Sequence, residues 1–422
     1  MDNGAIKKTT SLSPLTCQEI PAEVILENSG VYILKKDKQG KTHKNLIEKD
    51  SKFYLFFTKN KVTTQCLPST ILVYSSSQCN LNCPVCYEYG ADSKEPGLKE
   101  IEELSDKFRG KIIGLIGREP TCREDLFEII KTINKRNIPA LMTNGIKLVD
   151  YEYVIKLKNN GLKIIFFSFN GFNDEIYQRL NGRALLDLKL RALENIKKAG
   201  IATVISTTIA RGINDDQILQ LCQYCLSNSS FVIELRIRGI TPMGKHLALE
   251  PYCMSDMVDL IARSLGINKE DVMREYLFWE EFYKTLWICI PKVVRNFFNL
   301  RICSFSLSLK KNGKFFPLGK NIDIEKIKKS NFKTLLLLYC LIKNFGISYI
   351  ANTICKAFYL PEIIKNKKIL KIKLRCWPNI YNIDLGENKK CCTAYYKDRK
   401  LLPFCYYNMI SQERVVEKEE YQ

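Results

Sequence analysis

Between residues 71 and 265 the apolar positions of the chain fall into a regular alternation. Short, nearly continuous apolar runs cover 71–74, 111–116, 139–142, 162–167, 202–209 and 231–237. Between them lie longer stretches whose apolar residues recur at helical spacing: 98–107, 123–135, 151–159, 174–180 with 187–198, 215–226 and 255–265. Runs of the first kind suit strands buried on both faces, and stretches of the second suit helices that cover them. Six such units predict a parallel sheet forming an open, partial (β/α)6 barrel. In barrels of this kind the chemistry sits at the carboxyl ends of the strands.

The flanks read differently. Residues 1–70 alternate weakly, with strands expected at 23–26, 30–35 and 52–58, and form a small β-rich N-terminal module. Residues 71–267 are the barrel. Residues 268–374 are an aromatic and basic insertion region with helices expected at 271–287 and 332–345. Residues 375–422 are loop-rich, bear cysteines, and read as a separate small C-terminal extension.

Composition narrows the function classes. The chain has 422 residues, 46% of them hydrophobic and 26% charged, which is ordinary for a globular protein. The net charge is +20, but its lysines are scattered, and no basic block with interleaved aromatics marks a nucleic-acid platform. The strongest apolar run, 335–342, is too short to span a bilayer, so no transmembrane segment is expected. The 17 cysteines follow no secretory leader, which fits metal-binding or reduced thiols in a cytoplasmic protein.

Three of those cysteines, Cys79, Cys83 and Cys86, follow the first barrel strand within eight residues. Three thiolates cannot close a four-ligand site, so an iron–sulfur cubane held by them keeps one iron open to an outside ligand. A zinc knuckle would instead need a second Cys pair or histidines. The chain has only His43 and His246, neither of them nearby.

This cysteine spacing resembles that of the radical S-adenosylmethionine (SAM) enzymes. The resemblance implies a [4Fe-4S] cluster that binds SAM and reductively cleaves it to a 5'-deoxyadenosyl radical. That radical abstracts hydrogen from an unactivated C–H bond. After the second strand, Gly117, Glu119 and Pro120 are similar to the family's Gly-Gly-Glu-Pro, whose carboxylate contacts the SAM amino group. Arg118 replaces the second glycine. Thr143 and Asn144 after the third strand, and Ser168 and Asn170 after the fourth, are candidate SAM contacts. So are Thr207 and Asn214 at and beyond the end of the fifth, although Asn214 could equally cap the next helix.

Further positions narrow the resemblance. Gly182, Arg183 and the run Leu186 to Lys189, then Ala199, Gly200, Gly212 and Asn214, are similar to the branch of tetraether lipid synthases and class D radical SAM methylases. The ending from Cys392 to Tyr396 and from Leu402 to Asn408 resembles the same branch. It implies C–C bond formation or methylation of a small molecule or lipid, with electrons from a flavodoxin- or ferredoxin-type donor. A peptide-modifying enzyme and a catalytically dead SAM-binding paralogue are the alternatives. The branch's N-terminal four-cysteine iron site is expected to be missing, because Ser13 and Thr16 stand where its first cysteines fall. Cys303, Cys376, Cys391 or Cys392, and Cys405 could close a second [4Fe-4S] cluster, with structural zinc or unligated thiols as alternatives. The CxxC at Cys222 and Cys225 is expected to pack as core.

Overall fold

The computed structural model describes residues 4–60, 68–91, 94–286, 304–312, 314–346 and 369–411. Strands β1 (Gly4–Leu12), β2 (Glu19–Glu27), β3 (Gly30–Lys36) and β4 (Thr42–Glu48) form an antiparallel N-terminal sheet in chain order. The strand expected at 52–58 is instead part of a helix, Ser51–Asn60. Aromatic residues favour strands, but here tertiary packing wins. Phe53, Phe56 and Phe57 share one helical face packed on the main core, and the Asp50 side chain caps the start by accepting from the Phe53 amide.

The barrel strands are β5 (Thr70–Ser76), β6 (Ile112–Gly117), β7 (Ile138–Thr143), β8 (Ile164–Ser168), β9 (Ala202–Ile209) and β10 (Val232–Gly239). They pair in parallel and in sequence order, as the apolar runs predict. The sheet continues beyond them. Strands β11 (Ser304–Asn312), β12 (Lys314–Pro317), β13 (Ile369–Arg375), β14 (Thr393–Lys397) and β15 (Lys400–Pro403) bring it to 11 strands. β13 lies parallel to β10 at one limb, and β14 lies parallel to β5 at the other. The cysteine-bearing C-terminal segment therefore does not stand apart. Its Ile383, Tyr395, Phe404 and Tyr407 pack against Leu72, Tyr74 and Ile116 of the barrel.

The period-2 alternation of the strands sorts their side chains into two layers. Ile71, Val73, Ile113, Leu115, Leu141, Ile165, Phe167, Ile205, Leu235 and Ile237 face the covering helices and are fully buried or nearly so. Cys222 and Cys225 sit in this layer at 0% exposure, so the CxxC is packing, as expected. Among the described residues no helix is long and apolar enough to cross a membrane.

One buried cation fastens the strand ends at the rim. Lys189, on the helix Leu186–Ala199, is 1% exposed and donates to the carbonyls of Asn144 at 2.6 Å and Ser168 at 2.8 Å. It thereby ties the loop after β7 to the last residue of β8. Burial pulls its amine down to about 8. Below that pH the native chain bears the full cost of burying an ammonium group. Above it the native chain releases its proton before the unfolded chain does, so stability rises with pH from about 8 toward the ordinary value of 10.5. Chemical unfolding across this window is expected to have a Lys189 contribution of up to about 1.4 kcal/mol per pH unit. Lys189→Met should remove that contribution, and an identical slope in the variant would assign it elsewhere.

Candidate functional site

At the carboxyl end of the sheet the chain leaves β5 as a loop carrying Cys79, Cys83 and Cys86. All three cysteines line one open cavity with about 1510 Å³ of empty space, its mouth included. The loop is fixed by backbone rather than by an apolar core of its own. Cys86 donates its N–H to the Lys245 carbonyl at 2.8 Å and accepts from the Lys245 N–H at 3.0 Å. The approach requires glycine next door: a Cβ on Gly244, whose φ is +54°, would lie 2.3 Å from the Cys86 carbonyl oxygen. Hydrogen-bond donors already point at two of the sulfurs. The Leu81 amide stands 3.4 Å from the Cys79 Sγ, with the Asn144 side chain at 3.9 Å, and the Asn181 side chain lies 3.4 Å from the Cys83 Sγ.

These residues suit a cubane better than a single ion. Among the described residues, no three Cys, His, Asp or Glu side chains converge as ligands of one metal ion. A cubane takes each thiolate on a different iron, so its sulfurs stand farther apart than the ligands of one ion. Soft thiolates with amide donors aimed at them are the donor set of such a cluster. Burial pushes the Cys79 thiol up to about 11, against the Leu81 amide.

The carboxylate after β6 is built into the same wall. Gly117, with φ +138°, passes so close to β5 that a Cβ would lie 2.4 Å from the Ser76 carbonyl oxygen. Arg118 and Glu119 then donate their amides to the Ser76 and Gln78 carbonyls, both at 2.9 Å. Glu119 is 1% exposed and lines the cavity. Its Oε1 accepts from the Thr121 amide (3.1 Å), the Thr121 hydroxyl (2.6 Å) and the Thr143 hydroxyl (2.7 Å), while Oε2 accepts from the Asn144 amide (2.7 Å). Two carboxylate oxygens offer about four acceptor sites. The crowding on Oε1 leaves the spare one on Oε2. Pro120 begins the short turn Pro120–Cys122 that sets this geometry.

The other expected contacts divide into two groups. Thr143, Asn144 and Ser168 line the cavity with the cysteines and Glu119. Asn170, Thr207 and Asn214 do not belong to its lining; they form a buried lattice behind the rim. Asn170 accepts from the Thr208 amide at 3.0 Å, and Asn214 donates to the Asn170 and Thr208 carbonyls, both at 2.8 Å. The Thr207 hydroxyl donates to the Phe169 carbonyl at 2.7 Å. On β9 it is Ser206, one residue away, that reaches the cavity, because a shift of one position reverses the face of a strand.

Of the C-terminal cysteines, Cys391 and Cys405 line the same cavity. Cys392 is 3% exposed, and Cys376 packs against the helix-side core. Cys303 lies outside the described residues.

Several cavity residues escape a motif-based reading. Tyr87, Glu88, Asn181, Arg236, Arg238, Arg375 and Trp377 all line it. Burial pushes the Glu88 carboxyl up to about 7, against a 2.6 Å hydrogen bond from the Tyr395 hydroxyl and the charge of Arg238. The signal for the arginines lay in two runs with a charge at every second position: Glu234, Arg236, Arg238 and Lys371, Lys373, Arg375. In strands buried on both faces, that pattern puts the charges on the inward face.

Residues 73–225 match the radical SAM superfamily. Over 98% of this chain, the sequence is 27% identical to 7,8-dihydro-6-hydroxymethylpterin dimethyltransferase of Methanocaldococcus jannaschii, 95% of which is covered. The GTP 3',8-cyclase of Aquifex aeolicus is 36% identical over 163 residues, covering 35% of this chain and 50% of that protein. Among solved structures, Streptococcus suis SuiB bound to S-adenosylmethionine is similar over 46% of each chain, at 18% identity and a TM-score of 0.40. Residues 73–225 are thus a radical SAM domain, of a family that works with a [4Fe-4S] cluster and S-adenosylmethionine.

Proposed function

We propose that this enzyme abstracts hydrogen from an unactivated C–H bond of a small molecule or lipid, for methylation or C–C bond formation. The observation that carries this reading is the cavity itself, where Cys79, Cys83 and Cys86 face the Glu119 wall. The near full-length similarity to a pterin dimethyltransferase favours methyl transfer over the other outcomes. When bound, the cluster and SAM supply a reducing electron and a carbon radical strong enough to take such a hydrogen.

The work of the chain is to hold, orient and exclude. Cys79, Cys83 and Cys86 would hold the cluster, and the amides aimed at the first two sulfurs would set its charge and potential. Glu119 would offer Oε2 to the SAM ammonium group, its other acceptor sites being taken by Thr121, Thr143 and Asn144. Ser168 and Asn144 would flank the rest of SAM. The aromatic wall of Tyr87, Trp377 and Phe404, whose rings lie 4.6 to 6.0 Å apart, would keep water from the radical. A flavodoxin- or ferredoxin-type protein would supply the electron.

Cys83→Ala is expected to abolish 5'-deoxyadenosine formation with dithionite and SAM and to empty the cluster site. Iron and sulfide analysis of the wild-type chain should give about four of each for one cluster. About eight would place a second cluster on the C-terminal cysteines, and an active Cys83→Ala would end this reading.

Glu119→Gln keeps the shape of the side chain but removes its charge. It is expected to weaken SAM binding roughly ten- to a hundredfold, the worth of one charge-assisted hydrogen bond. Calorimetry on the iron-loaded protein measures this, and unchanged affinity would remove Glu119 from the SAM site.

A further inference from the structure

The region between β12 and β13 carries a helix whose outer face has no polar cover. A surface helix ordinarily turns an apolar stripe to the core and polar residues to water. The helix Lys333–Phe345 meets the core in that way. Its Leu337 and Leu341 are buried, and Leu336 and Cys340 half-buried, against Phe278, Phe282, Ile324 and Ile327. The other side departs from the rule. Phe332, just before the helix, and Leu335, Leu338, Tyr339 and Ile342 are exposed by between 39% and 69%. At helical spacing these five occupy about one third of the circumference, roughly opposite the packed residues. A contiguous apolar patch of this kind on a protein surface marks a place of interaction.

The charge of this region has one sign. Residues 282–361 hold 14 lysines and arginines against two acids, Asp323 and Glu325, a net +12 out of the +20 of the whole chain. The lysines are scattered along the sequence, yet their excess over acids is weighted to this stretch. Both acids are engaged in the short helix Ile324–Lys329. The Asp323 carboxylate caps it by accepting from the Lys326 amide at 3.0 Å, and Glu325 pairs with Lys328 at 3.0 Å. Lys333 is paired in turn with Glu281 at 2.7 Å. Lys329 and Lys343, both exposed, bracket the apolar stripe, three residues before Phe332 and one after Ile342. The Lys343 ammonium group lies 5.6 Å from the centre of the Tyr339 ring.

We propose that this face docks on an anionic lipid surface, with the helix lying in the plane of the headgroups. An apolar face fringed by lysines matches both layers of such a surface. The acyl chains receive Phe332 and the leucines, while the lysines keep their ammonium groups among the headgroup phosphates. The 13-residue helix is about 20 Å long, short of the roughly 30 Å of a hydrocarbon core, so it lies on a bilayer rather than across it. A second copy of the chain suits the face less well, because it would bring two cationic fringes together. None of these residues lines the cavity, so the inference stands apart from the proposed reaction.

The test uses the full chain, iron-loaded under anaerobic conditions, in flotation with vesicles. One set is phosphatidylcholine alone and the other contains added phosphatidylglycerol. The chain is expected to float with the second set far more than with the first, and less as salt is raised. Phe332→Ser and Leu335→Ser should each lower the partition coefficient roughly tenfold. Lys329→Gln and Lys343→Gln should each lower it roughly fivefold and flatten the salt dependence. All four side chains are exposed, so the variants should melt with the wild type; a variant that does not is replaced by Ile342→Ser at the same face. Absence of flotation with either set overturns the proposal. Flotation unchanged in the serine variants overturns it as well, since net charge alone would then account for adsorption. Sedimentation without lipid checks the other occupant: a dimer that Leu335→Ser dissociates would assign the face to a second copy and overturn the lipid assignment.

Discussion

The rim of this barrel depends on one buried carboxylate. Glu119 draws the hydroxyls of Thr121 and Thr143 and two backbone amides onto its oxygens, while its own amide is anchored to Gln78, one residue before Cys79. A single side chain therefore ties the ends of β5, β6 and β7 into one surface. A buried charge is costly unless its hydrogen-bonding capacity is met, and here nearly all of it is met from within. What remains points at the cavity. The same economy explains why Arg118 can replace a glycine in this motif. The close backbone approach falls on Gly117, and the Arg118 side chain is turned toward Tyr89 and the cavity.

A second constraint is the asymmetry of the sheet. Its outer face is filled by helices and is almost wholly apolar, so it can be close-packed. The inner face must stay open for cofactor and substrate, and cannot be stabilised by packing alone. It is closed partly by the C-terminal segment, whose Tyr395 and Phe404 pack on the inner side chains of β5 and β6. It is otherwise lined by charges paired across neighbouring strands, of which the Arg236, Glu234 and Lys373 cluster is one complete example.

How far the sequence disclosed this follows from the range of each interaction. The six barrel strands were legible because they are short, mostly apolar runs, a local signal that needs no partner. Cys79, Cys83, Cys86 and Glu119 were legible as spacing. β13 and β14 were not, since Lys371 to Arg375 alternates like an exposed strand, and β14 pairs with only three residues of β5. The helix Ser51–Asn60 hid behind aromatic residues whose preference for strands yields to a packed helical face. Thr207 was one register off, and Asn170 and Asn214 proved to be scaffold, because an amide at a rim can serve neighbouring backbone as readily as a ligand.

The N-terminal module carries the same lesson to turns. Ser13 holds the turn after β1 with one hydroxyl, which accepts from the amides of Leu15 and Thr16, both at 3.3 Å, while its backbone closes on Gln18 at 2.9 Å and Cys17 at 3.0 Å. The turn joining β3 to β4 is closed by Asp37, whose carboxylate accepts from the Gln39 and Lys41 amides and pairs with His43 at 2.8 Å. Lys35, near the end of β3, then reaches the end of β1 by donating to Ser11 and the Leu12 carbonyl, and the C-terminal segment by donating to the Ile380 carbonyl. Hydrogen bonds of this kind satisfy the turns one at a time and cross-link them through a lysine. The sheet so held packs against the C-terminal segment through Lys7, Thr9 and Lys35. That segment also lines the cavity with Arg375, Trp377 and Cys391. The module thus braces one wall of the cavity.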